Sequence, residues 1–386
     1  MTEKRSVLIL GAGIGGIALA IRLRKLLPRG HRIALVDREA DHVFAPSLLW
    51  LMTGNRSAGQ ITRPLSAIAG RGVEMIRGTV ESIDAAAKTA RVDGKEIGAE
   101  HLVVALGAAL APERVPGLAQ AGHNLYSLAG AGSLRDARLA VTRGRIVVLI
   151  AALPFKCPAA PNEAAMLLEY DCRRRGVRQD VQLDLYTPEP GPMPVAGAQV
   201  SKALRQMIEA KGIGYHPEHA VAAVDPARRL VRFANGAETD FALLAYVPPH
   251  AAPKVVQEAG LCGESGWVPV DRETMQTRFP GVYALGDVAG IMLTSIGRPL
   301  PKAGVLAHNE AEMLAHNIAS LITGKNAAQR FTGEGSCFIE TGDGRAGFGS
   351  GNFYATPAPA IRLKPPSAWL HWGKVAYEKY WLWSKF

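Results

Sequence analysis

Two cysteines carry the first hint of chemistry. Cys157 stands in Pro154-Phe155-Lys156-Cys157-Pro158-Ala159-Ala160-Pro161-Asn162-Glu163, a proline-rich turn running into a helical stretch. Cys337 stands in Gly333-Glu334-Gly335-Ser336-Cys337-Phe338-Ile339-Glu340-Thr341-Gly342, between Gly-rich turns. A free cysteine is often a small buried hydrophobe, and each of the two read alone would be structural. The prolines around Cys157 nevertheless argue for a rigid, specially shaped loop. Lys156 and the following helix N-terminus are expected to lower its thiol pKa. Cys172, on that helix, and Cys262, after a turn glycine, read as structural. Four cysteines in 386 residues make no disulfide scaffold. No Cys/His spacing suggests a metal.

A second feature is a phosphate-binding turn. Ser6–Leu10 is a continuous apolar run, the signature of a buried parallel strand. It enters Gly11-Ala12-Gly13-Ile14-Gly15-Gly16, then a helical stretch from Ile17 to Leu27 and a strand at Arg32–Val36 that ends in Asp37. Gly11 permits the tight turn, Gly13 lets the backbone approach a pyrophosphate, and Gly16 lets helix and strand pack closely. The helix N-terminus offers free N–H groups and partial positive charge. Asp37 can accept hydrogen bonds from ribose hydroxyls. The complete strand–turn–helix–strand–acid unit predicts dinucleotide binding.

Two later segments select FAD over NAD. His101–Leu106 is a buried strand closed by Gly107, with Ala105 two residues before it. Phe279–Asp287 ends in Gly286-Asp287, where an acid could bond the ribityl chain of a flavin. The place for a second nucleotide site follows the strand Arg145–Ile150, yet Ala151–Pro158 holds two prolines and no glycine. Side chains there block close approach of a pyrophosphate. The βαβ unit still continues, with a helix near Asn162–Arg175 and a strand at Val181–Tyr186. The fold is retained and the phosphate site is lost, so the electron donor is not expected to be a nicotinamide. On such a flavoprotein, Cys157 and Cys337 together suggest a redox pair relaying electrons to the isoalloxazine.

With its GxGxxG, central AxG and C-terminal GD in order, the chain resembles the two-dinucleotide-binding-domain flavoproteins. Within them it resembles sulfide:quinone oxidoreductases and the flavoprotein subunit of flavocytochrome c sulfide dehydrogenase. Pro154–Glu163, Leu243–Pro253, Pro301–Ala311 and Gly335–Gly342 carry this likeness. It implies that Cys157 and Cys337 form a disulfide that accepts sulfide sulfur and then feed electrons to FAD and on to a quinone. A cytochrome acceptor, or a type II NADH:quinone reductase activity, is the alternative. By the same likeness Glu163 handles sulfide's proton, although a first-turn acid also offsets the helix macrodipole. Lys302, Ala303 and Gly304 would lie at the flavin N1/O2 edge; the plain alternative for Lys302 is a solvated lysine. One departure stands out. The family's further cysteine near Asn124–Leu128 is absent, with Ser127 the nearest polar counterpart, and Val43–Asn55 lacks the flavin-linking cysteine. FAD is therefore expected to be non-covalent.

These residues need a two-unit α/β frame. The expected organisation is an FAD-binding part at 1–112, a second Rossmann-like unit at 113–248, a return to the FAD part at 249–325, and a C-terminal region at 326–386. Pro112–Pro116 and Pro248-Pro249 mark the crossings, and a hairpin-like pair near Ala220–Thr239 turns at Asn235-Gly236. A 48% hydrophobic, 20% charged composition supplies a core and excludes global disorder. No apolar run reaches the roughly 20 residues of a membrane span, and the charged start Met1–Arg5 is unlike a signal peptide. The net charge of +10 is spread along the chain, which argues against nucleic acid and suits an anionic membrane surface or substrate. Four of the six tryptophans fall in the last 18 residues. At helical spacing Trp369, Trp372, Ala376, Tyr380 and Trp383 share one face of Ser367–Phe386, with Lys374, Glu378 and Lys385 opposite. Such a helix suits a membrane interface; packing on the protein's own core or in a homo-oligomer is the alternative. The expectation is a peripheral protein of the cytoplasmic membrane. Phe348, Phe353 and Tyr354 are candidate walls of a quinone pocket, or ordinary loop packing.

Overall fold

The computed structural model describes residues 5–325 and 328–386, so the charged start at 1–4 and the expected opening of the C-terminal region at 326 lie outside the described residues. The apolar runs become central strands. β1 (Ser6–Leu10) feeds α1 (Ile14–Leu26), and β2 (Arg32–Asp37), β3 (Glu74–Arg77) and β4 (His101–Val104) follow. Val7–Leu10 are at most 1% exposed, as a strand covered on both faces requires. α1 starts three residues earlier than the helical pattern suggests, because Gly15 and Gly16 are themselves helical.

The second unit repeats the plan with β5 (Gly144–Ile150), α2 (Ala160–Arg174), β6 (Val181–Tyr186), β7 (Gly214–His216) and β8 (Leu243–Val247). Its parallel sheet runs from a short edge strand His123–Asn124 through β8, β5 and β6 to β7. β9 (Val282–Ala284) then returns to the first sheet, whose parallel order is β9, β4, β1, β2, β3. The two crossings run side by side: Ala109 and Leu110 pair antiparallel with Ala251 and His250. The expected hairpin pair is a three-stranded antiparallel sheet of Val221–Asp225, Leu230–Phe233 and Glu238–Asp240, with Asn235-Gly236 turning its second hairpin. Gly236 there has a φ of +85°, open to glycine.

α3 (Gly304–Thr323) packs against α1. The chain ends in three antiparallel strands, β10 (Glu334–Gly342), β11 (Arg345–Asn352) and β12 (Ala360–Ser367), and in α4 (Ala368–Ser384) laid on them. Pro365 and Pro366 sit inside β12. They fall in the register shift between the Ser367 and Lys364 pairings with β11, where neither has a paired residue, so their missing N–H groups cost no ladder bond. The two Rossmann-like units and the C-terminal helix agree with the fold class read from sequence.

Candidate active site

The Gly-rich turn is shaped for a backbone-lined cradle. Gly11 has a φ of +107°, and a Cβ there would stand 2.4 Å from the Ala105 carbonyl oxygen. A Cβ on Gly16 would stand 1.9 Å from the Gly11 oxygen, and one on Gly15 2.4 Å from Leu285 Cδ1. Gly13 differs: a Cβ on it would meet nothing within 4 Å, because it faces open space at the head of α1. Neither Gly13 at α1 nor Ala303 at α3 caps its helix with a side chain, so both N-termini keep N–H groups for a ligand. Asp37 Oδ2 accepts the Ala12 N–H at 2.6 Å, which ties the acid to the turn. Gly107, three residues past β4, has a φ of +67°, and Gly286 opens the turn after β9 with a φ of +72°. The Gly286 N–H is donated to Glu310 at 2.7 Å. Gly286, Lys302, Ala303, Leu306 and Glu310 line a crevice. An open glycine, two uncapped helix ends and an acid at the strand end fit a dinucleotide flavin.

The Cys157 loop is tied to that crevice. Lys156 bridges to Lys302 in parallel fashion, and the Cys157 N–H donates to the Lys302 carbonyl at 2.6 Å. Cys157 has a φ of +50°, uncommon for a residue with a Cβ. Tyr126 Oη donates to its carbonyl at 3.1 Å. Cys337, 180 residues later, lies in β10 opposite Gly349 and joins the same apolar cluster as Cys157, Phe155 and Ala159. Both cysteines are half-buried free thiols. Burial pushes Cys157 up to about 12; Glu163 adds to this and Lys374 opposes it. Burial, then Cys157 and Glu163, push Cys337 well above the ordinary thiol value, again against Lys374. The expected lowering of Cys157 is thereby corrected. Desolvation outweighs the helix end, and Lys156 extends its ammonium over the Tyr126 ring at 6.0 Å.

Lys374 is the residue that sequence reasoning placed wrongly. Lys374 and Glu378, assigned to the helix face opposite the aromatics, are 7% and 0% exposed and point into the protein. Lys374 Nζ donates to Glu163 Oε2 at 2.7 Å, and the same oxygen accepts the Glu340 N–H at 2.8 Å. Burial works against the Lys374 charge, but Glu163 and Glu340 together raise its pKa. His371 Nδ1 lies 3.0 Å from the Glu340 carboxylate. Glu378 accepts from Ser47 at 2.7 Å and from Arg56 at 2.9 Å. The aromatic face stays outside, with Trp369 86% and Trp383 77% exposed. The available signal was the four-residue step from Lys374 to Glu378, which puts both charges on one stripe.

Lys302 is buried rather than solvated. Its ammonium donates to the carbonyls of Asp287 at 2.6 Å and Ala289 at 3.1 Å and stands 3.5 Å over the Trp267 ring. Burial pushes it down to about 8. The quinone-wall candidates divide. Phe348 lies obliquely against its cross-strand partner Phe338 at 4.9 Å, on the sheet face opposite to that of Cys337, which pairs with Gly349. Phe353 and Tyr354 leave the far end of β11, more than about 13 Å along the strand at roughly 3.3 Å per residue. There Tyr354 packs edge-on against Phe331 and donates to the Arg272 carbonyl. Ser127 caps its helix by accepting the Gly130 N–H. Cys172 is fully buried in α2. Among the described residues no group of His, Cys, Asp and Glu could hold a metal.

Comparison with known proteins agrees with this architecture. The pyridine nucleotide-disulphide oxidoreductase family pattern matches residues 5–311. The chain is 29% identical over 404 residues to the sulfide-quinone reductase of Aquifex aeolicus, covering 98% of this chain and 91% of that one. It is 25% identical over 365 residues to the mitochondrial sulfide:quinone oxidoreductase of Mus musculus, covering 91% and 79%. The X-ray structure of the Aquifex aeolicus enzyme superposes with a TM-score of 0.89 over 99% of this chain and 91% of that chain, at 27% identity. The chain is thus a flavin-dependent oxidoreductase that belongs to the pyridine nucleotide-disulphide oxidoreductase family.

Proposed function

We propose that the chain oxidises sulfide through Cys157 and Cys337 and delivers two electrons, by way of non-covalent FAD, to a membrane quinone. The observation that carries this reading is the seating of the Cys157 loop. The loop takes the position of a second phosphate site and is hydrogen-bonded to Lys302 at the flavin crevice. In the oxidised enzyme the two cysteines form a disulfide. Sulfide sulfur bonds to one of them, the Cys157–Cys337 bond breaks, and the other leaves as a thiolate. Lys374 supplies the positive charge that both sulfurs need, and Glu163 holds Lys374 in place while remaining available to take sulfide's proton. Sulfur departs as polysulfide or on a thiol acceptor. Cys157 and Cys337, left as thiols once the sulfur departs, re-form their disulfide by giving up two electrons, for which FAD, when bound, would supply the acceptor that passes them to quinone. Gly11, Gly13, Gly15 and Gly16 would cradle its pyrophosphate, with Asp37 at the ribose. Ala105, Gly107, Gly286 and Asp287 would line its length, and Ala303 and Gly304 would bring the α3 N-terminus to the flavin ring. Lys302 fastens the Asp287 turn to the Cys157 loop. Phe348, Phe353 and Tyr354 are the candidate quinone contacts.

The paired crossings at Ala109–Leu110 and His250–Ala251 and the end of α3 at Thr323 support a division near 112, 248 and 325. The outer face of α4, rich in Trp and Tyr, would sit at the headgroup level of an anionic membrane. No described helix is long and apolar enough to cross a membrane. The anaerobic visible spectrum tests the reading. Sulfide should bleach the flavin and added quinone should restore it, while NADH leaves it oxidised. Bleaching by NADH alone would overturn the proposal.

A further inference from the structure

The C-terminal helix reaches the flavin cradle as well as the cysteines. His371, Lys374, Glu378 and Trp381 follow one another at three- and four-residue steps and form its inward stripe. The first three meet Glu340, Glu163 and the Arg56–Ser47 pair described above. Trp381, 1% exposed, meets the Gly-rich turn through one intermediary. Its Nε1 donates to His42 Nε2 at 3.3 Å, and His42 Nδ1 lies 3.3 Å from the Ala12 carbonyl oxygen. An indole N–H only donates. His42 Nε2 therefore accepts, its proton is on Nδ1, and Nδ1 donates to Ala12. Burial pushes His42 down to about 4, so the neutral ring persists at ordinary pH. Ala12 lies between Gly11 and Gly13, and its N–H is already held by Asp37. Both polar groups of this residue are thus fixed, one from β2 and one from α4. The end of the chain is pinned as well: Arg71 donates to the Trp383 carbonyl at 3.3 Å and to that of Phe386, whose ring lies 5.4 Å from His42.

We infer that α4 is part of the flavin site, Trp381 acting through His42 as a positioning residue for the Ala12 peptide, and that a bilayer taking up the outer aromatic face of the same helix slows loss of the flavin. The second half rests on the membrane reading above. It follows from linkage: a surface that binds only the seated helix stabilises the seated state and everything that state holds in place.

The test dilutes the full-length holoenzyme and follows released FAD by its fluorescence, with and without vesicles of phosphatidylcholine and phosphatidylglycerol. Co-sedimentation with the vesicles is measured in parallel. Trp381→Phe should release FAD roughly fivefold faster than wild type, the effect of one lost hydrogen bond. His42→Phe, which leaves α4 unaltered and keeps the test valid should the Trp381 variant misfold, should do the same. The two together should be less than additive, as groups in one network are. Vesicles should slow release from the wild type several-fold and from Trp381→Phe less. Release at the wild-type rate from both variants would overturn the contact with the flavin site. Sedimentation without any change in release would overturn the coupling and leave the membrane reading standing. Failure to sediment would overturn the membrane reading and, with it, the vesicle half of the inference.

Discussion

Replacing Lys374 with Met removes the charge that both thiols share while nearly keeping its volume. Glu163, 2% exposed, would keep only the Glu340 N–H. Breaking a buried ion pair from one side costs about 3–5 kcal/mol, since the remaining charge is left uncompensated. The double change Lys374→Met, Glu163→Gln should regain much of that loss. The thiols should respond in a fixed direction. Burial and Glu163 raise Cys157 and Cys337, Lys374 opposes both, and its removal raises them further. As a general scale, at an effective dielectric of about 20 two unit charges separated by about 6–8 Å interact by about 2–3 kcal/mol, or about 1.5–2 pKa units. Below the thiol pKa, alkylation follows the thiolate fraction. In the reduced protein, alkylation of both cysteines should therefore slow by about 30- to 100-fold at a pH below both values. Urea denaturation reports the first effect. Iodoacetamide rates resolved by peptide mass report the second, with Cys262 as an internal reference. A stability change under about 1 kcal/mol together with unchanged alkylation of Cys157 and Cys337 would refute the assignment of Lys374 to the cysteine site.

Gly16→Ala places a methyl group 1.9 Å from the Gly11 oxygen, and the purified protein should lack visible flavin absorbance. Cys157→Ser and Cys337→Ser should each abolish bleaching by sulfide with FAD retained, whereas Cys172→Ser should leave it intact; stopped-flow absorbance decides. Trp369→Ala with Trp372→Ala should weaken vesicle co-sedimentation without altering flavin content, because both side chains lie outside the core. Glu189 is 7% exposed, and burial raises its carboxyl to about 7 against the Thr187 hydroxyl bond and Arg298. Between about pH 4.5 and 7 the native state then holds the proton that the unfolded chain releases, so this group's contribution to stability falls as pH rises. Glu189→Gln should remove that slope and be the more stable form at pH 8 by up to about 3 kcal/mol, read from urea midpoints at pH 5 and pH 8.

The dinucleotide unit could be read from residues 6–37 because its constraints are local. A buried strand, a turn that tolerates no Cβ and a helix head are all written within about thirty residues. The loss of the second phosphate site was local too, since Ala151–Pro158 contains no glycine. Cys157 and Cys337 could be named from their segments. What only the tertiary structure decided were the long-range contacts of the C-terminal helix. Its aromatic face and the opposite charged face were separated, but the burial of the charged one was not foreseen, because charge usually lies outside. Lys374 and Glu378 are buried because partners from distant segments, Glu163, Arg56 and Ser47, compensate their desolvation. No spacing within the helix records those partners. The direction of the Cys157 shift reversed for the same reason. A helix end is visible in the local sequence, whereas the burial that outweighs it is created by strands and helices that meet only in the folded chain.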